Sequence, residues 1–123
     1  MAKREIKLNA TGGPLVVTLT IGQAGGGNFA IYLFDAPGSP NFREIGSGST
    51  ETGNGSPLVV GPASGLAGRV LAWDVVATPL FGKNVSVFLV ATQDGTKLSQ
   101  FLDETPLGAN ENKVTIRTGA LLK

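Results

Sequence analysis

Residues 14–21 read Pro14-Leu15-Val16-Val17-Thr18-Leu19-Thr20-Ile21. Leu15, Val17, Leu19 and Ile21 fall on one side at period two, and Val16, Thr18 and Thr20 on the other. The residues are dense in β-branching, which restricts the side chain and suits a pleated surface. This is a strand with one apolar face, and Thr11-Gly12-Gly13 ahead of it is a turn.

The same alternation recurs on both sides of it. Glu5–Asn9 sets Ile6 and Leu8 against Glu5, Lys7 and Asn9. Phe29–Phe34 sets Phe29, Ile31 and Leu33 against Ala30, Tyr32 and Phe34, so both of its faces are apolar. Arg69–Thr78 aligns Leu71, Trp73 and Val75. Asn84–Thr92 aligns Val85, Val87 and Leu89 against Phe88 and Val90. Lys113–Thr118 turns Val114 and Ile116 inward and Lys113, Thr115 and Arg117 outward. Shorter strands are read over Phe42–Ile45, Leu58–Val60 and Lys97–Leu102.

Turn residues separate these runs. Gln23–Asn28, with its run of glycines, reads as a connection, and Asp35–Asn41 as a loop. Gly46–Pro57 is the longest polar stretch and has little to bury, so it reads as a mobile or functional loop. Asp94-Gly95 is the pair favoured in a type I′ hairpin turn. Asp103–Asn112 reads as a polar connection and Gly119–Lys123 as a tail. About eight short strands, with turn signals roughly every ten residues, point to one all-β domain over residues 1–123. We expect an antiparallel β-sandwich of Greek-key type with little or no helix.

One segment argues otherwise. Gly61–Gly68 follows an apolar strand, and Leu66, Val70, Trp73 and Ala77 recur at helical spacing. A glycine loop between strand and helix is a nucleotide-binding arrangement. Here the glycines are spaced Gly-x-x-x-Gly-x-x-Gly, and no second helix is available to cover a parallel sheet. The strand reading of Arg69–Thr78 is preferred.

Composition narrows the chemistry. The 123 residues include no cysteine and no histidine. Disulfides and thiolate metal sites are excluded, and the commonest general base is missing. Without histidine, a serine nucleophile would need Lys83, Lys97 or Lys113 as its base, and no local signature supports that pairing. Asp103 and Glu104 are adjacent, with Asp94 and Glu111 near in sequence, but their spacing is not that of a calcium loop. We therefore expect no catalytic residue, no metal and no cofactor.

Ten basic residues against nine acidic ones leave a net charge of +1, which supplies no nucleic-acid footprint. Lys3, Arg4 and Lys7 near one end, and Lys113, Arg117 and Lys123 near the other, would form a basic strip if the first and last strands were neighbours. Charged edge strands that block aggregation are the plainer account. No run approaches the ~18 apolar residues of a membrane helix, and no signal peptide is read, so a cytoplasmic location is expected. Most of the aromatic residues are read as core, Trp73 as its central plug.

Two functional readings follow. In the first, the protein is a non-enzymatic interaction or assembly module. Tyr32, Phe34, Phe88 and Val90 lie on outward faces that a two-layer sandwich leaves uncovered, and a homo-oligomer would cover them. A loop folded across the sheet, such as Gly61–Gly68, would cover them without an oligomer. In the second, loops at one end of the sandwich bind carbohydrate, or another ligand such as a protein, through Asp35, Asn41, Thr50, Glu51 and Asn54.

Overall fold

A computed structural model describes residues 4–80, 83–106 and 112–123. Among these residues nine strands follow one another: β1 (Glu5–Ile6), β2 (Leu15–Gly22), β3 (Ala24–Phe34), β4 (Phe42–Ser49), β5 (Pro57–Gly61), β6 (Val70–Pro79), β7 (Val85–Gln93), β8 (Thr96–Thr105) and β9 (Val114–Leu122). The only helical element among the described residues is a 3₁₀ turn at Ala63–Gly65. The strands form a five-stranded sheet in the order β1-β9-β6-β3-β4 and a four-stranded sheet in the order β5-β2-β7-β8. The two sheets pack face to face as a β-sandwich.

Two Greek-key units are split between the sheets. In the first, β5 returns beside β2 while β3 and β4 form a hairpin in the opposite sheet. In the second, β9 returns beside β6 while β7 and β8 form the opposite hairpin. Pairing is antiparallel except at β1, which adds two residues parallel to β9, Glu5 beside Leu121 and Ile6 beside Leu122. Arg69–Ala77 is strand from Val70 onward, so the helical alternative does not form.

Inward residues of both sheets make one core, with Leu15, Val17, Leu19, Ile31, Leu33, Leu71, Val75 and Leu89 all buried. Trp73 is fully buried at its centre and stacks on Phe101 of β8 at 5.9 Å. The segment after β5 closes one end of the sandwich. Leu66 enters the core there, and the Gly68 N–H donates to the Leu122 carbonyl.

Several strands run further than periodicity predicts. β3 begins at Ala24 and takes in the whole glycine run. β4 continues through Gly46–Ser49, β8 through Asp103–Thr105, and β9 to Leu122, which is fully buried. For β3 and β4 the reason is close approach. A Cβ on Gly27 would sit 2.8 Å from the Ala77 Cβ, and one on Gly48 would sit 2.8 Å from the Phe29 ring. Glycines that read as chain breaks instead let neighbouring strands and rings come close.

Candidate functional site

The outer face of the five-stranded sheet carries an aromatic cluster. Tyr32 and Phe34 alternate with the buried Ile31 and Leu33 on β3, so they point away from the core. Antiparallel register sets Phe42 of β4 beside Phe34, and paired residues share a face. The Phe42 ring meets Tyr32 edge-on at 5.4 Å and Phe34 at 5.2 Å. Such contacts add to area burial. Tyr32 and Phe34 are half-buried, whereas Phe42 remains 57% exposed. Ala72, Asp74, Arg117 and Thr118 complete a shallow cleft of about 580 Å³ around the rings. Arg117 and Asp74 approach to 3.9 Å at its rim, and Glu44 stands beside Tyr32 on β4.

The four-stranded sheet has its own outward apolar row. Phe88 and Val90 of β7 are half-buried and lie beside Leu102 and Gln100 of β8. Leu102 is 54% exposed. Thus Tyr32, Phe34, Phe88 and Val90 all face outward, but on opposite sides of the sandwich. The 61–68 segment, the alternative cover, turns into the core end instead and does not line the aromatic cleft.

Phe42, which the sequence assigns to a short strand without giving its face, lies outside. The seven-residue loop before it hides the register, and only pairing with Phe34 reveals its face. Leu102 follows a two-residue turn, but a bulge between Ala91 and Thr92 shifts the register, so its side too is set by its partner Phe88.

The loop residues do not form one site. Asp35 and Asn41 lie before β4, and Thr50, Glu51 and Asn54 lie after it, so this strand holds the two groups at opposite ends. Asp35 accepts from Arg69 at 3.3 Å, and the Asn41 carbonyl accepts from the Asp35 N–H. The Asn54 amide is used on strand β2: its Oδ1 accepts the Ile21 N–H at 2.7 Å and its Nδ2 donates to the Ile21 carbonyl. The Thr50 N–H donates to the Gly27 carbonyl, and Glu51 is exposed beside it. A residue that completes a strand edge is not free to hold a sugar hydroxyl.

The charged candidates disperse in the same way. Asp103 and Glu104 lie on β8 and point to opposite sides, which separates the carboxylates. Asp103 takes a bidentate pair of hydrogen bonds from Arg4, at 2.6 and 2.8 Å, and Arg4 lies 5.2 Å over the Phe101 ring. The Asp103 carboxylate, chiefly through those hydrogen bonds, raises the Arg4 guanidinium above its ordinary value against the opposing effect of burial. The first and last strands are indeed neighbours, but Lys123 pairs with Glu5 and Arg117 faces Asp74, so no continuous basic strip forms. Lys3, Glu111 and Phe81 lie outside the described residues.

No group of three candidate metal-ligating side chains occurs among the described residues, and no described helix is long and apolar enough to cross a membrane. Compared with known proteins, the chain matches no family model, no curated protein and no solved structure.

Proposed function

We propose that this protein is a non-enzymatic assembly module that self-associates through a strand-borne apolar surface, the outer face of its five-stranded sheet. The observation that carries this reading is Phe42, a phenylalanine 57% exposed at the middle of a three-ring cluster on a sheet face. Single exposed apolar residues are ordinary, but a contiguous aromatic cluster rimmed by Glu44, Asp74 and Arg117 has the make-up of an interface centre. Each 100 Å² of apolar area withdrawn from water there returns about 2.5 kcal/mol. The composition supports the non-enzymatic part, since the sequence has no histidine or cysteine and its adjacent carboxylates face apart. The carbohydrate alternative gains nothing from loops held at opposite ends of β4.

Sedimentation velocity at high micromolar concentration tests this. The wild type is expected to sediment as an oligomer, and Phe42→Lys as a smaller, folded species, because an exposed position accepts lysine without disturbing the core. A monomeric wild type would refute the reading.

A further inference from the structure

The two outward apolar faces are equivalent places in one repeated topology. Replacing β2, β3, β4 and β5 by β6, β7, β8 and β9, and the reverse, converts the order β5-β2-β7-β8 into β9-β6-β3-β4. Under that exchange hairpin β3–β4 corresponds to hairpin β7–β8. Each hairpin carries two outward apolar residues on its inner strand, Tyr32 with Phe34 and Phe88 with Val90. Each also carries one large, more than half-exposed residue on its edge strand, Phe42 beside Phe34 and Leu102 beside Phe88.

The charges around each face suit a second copy of the same face. On β8, Lys97 and Glu104 point outward on either side of Gln100 and Leu102. A two-fold axis lying in the interface, across the strands at that midpoint, sets Lys97 of one copy over Glu104 of the next. On the first sheet, Glu44 of β4 stands beside Tyr32, and Arg117 of β9 lies across the cleft, 3.9 Å from Asp74. A two-fold between them sets Arg117 of one copy over Glu44 of the next. Contact between like faces is self-complementary, and opposite charges meet.

We propose that both faces bind second copies of this chain, each face its own like, so that copies stack in an open-ended array. This rests on the self-association proposed above and extends it to the second face. Two-fold contacts on opposite sides of one molecule do not close: each added copy presents a free face of the other kind.

The test is a sedimentation dilution series on the full chain, with the ultraviolet strand spectrum and Trp73 emission as controls for folding. For the wild type, mean mass is expected to rise with concentration past a dimer. Phe42→Lys and Leu102→Lys should each stop at a dimer, and the double variant should be a monomer. Glu104→Lys should also stop at a dimer, and adding Lys97→Glu should restore growth, which a mere loss of apolar area does not explain. Growth that persists in either single variant overturns the proposal. So does a single variant that becomes monomeric, since the faces would then meet head to tail. A wild type that halts at a dimer, which Phe42→Lys dissolves, overturns the open array but leaves the first proposal standing. A monomeric wild type overturns both.

Discussion

Gln93 is the buried polar side chain among the described residues, 3% exposed at the end of β7. Its Oε1 accepts the Asn9 N–H at 2.8 Å, and its Nε2 donates to the Asn9 and Gly13 carbonyls. One amide thus satisfies three backbone groups of the 7–14 connection, which is also held by the Leu8 N–H donating to the Lys123 carbonyl and the Gly13 N–H donating to Asp94. Gly48 acts by having no side chain. A Cβ there would lie 2.8 Å from both the Phe29 ring and the Thr52 carbonyl oxygen. Phe29 is buried and Thr52 is held by the Ser49 hydroxyl, so neither yields easily. Gly48→Ala is expected to lower stability by ~1–3 kcal/mol, the usual cost of overpacking. Its urea midpoint should fall, and an unchanged midpoint would mean that β4 is free to move away. Nothing in residues 46–57 as a string discloses this contact, because Phe29 lies on another strand.

The hairpin β7–β8 was legible as an element. Asp94-Gly95 signals its turn, and the two residues have φ of 51° and 77°. Both lie in the left-handed region that a type I′ turn requires. Asp94 gains a further role, since its carboxylate accepts the Gly13 N–H. Gly95→Val should destabilise the fold by ~1 kcal/mol or more, because a β-branched residue resists that conformation. Nothing crowds the site, so the loss should be purely conformational: Gly95→Asn should recover much of it. Equal midpoints for the valine and asparagine variants would count against that cause. Hairpin β3–β4 was less legible. Its connection has no short turn signal, so the sequence leaves open which residue of β4 faces Phe34, and with it the side on which Phe42 emerges.

Across the whole molecule, the tie between sheets at the β1–β8 edge is polar. Arg4 leads into β1 of one sheet, and Asp103 stands on β8 of the other. Their bidentate contact is partly buried, with side chains 29% and 23% exposed. The Arg4 guanidinium also lies over Phe101, which stacks on Trp73 in the core. Asp103→Ala should cost ~1–2 kcal/mol, more than an ordinary surface ion pair, because it strands a part-buried guanidinium. Chemical denaturation followed by Trp73 emission would measure it, and a loss under a few tenths of a kcal/mol would show that solvent replaces the carboxylate.

By itself the sequence determined that the chain is built of strands, which residues of each strand share a side, and that histidine and cysteine chemistry is absent. These are local matters: side-chain direction alternates along any extended chain, whatever it pairs with. Tertiary structure alone decided which strands are neighbours, that Phe42 and Leu102 lie outside, that Asn54 is used on Ile21, and that Arg4 reaches Asp103. Each of those depends on register between segments distant in sequence. One residue of slip in a strand would turn every side chain on it to the opposite face.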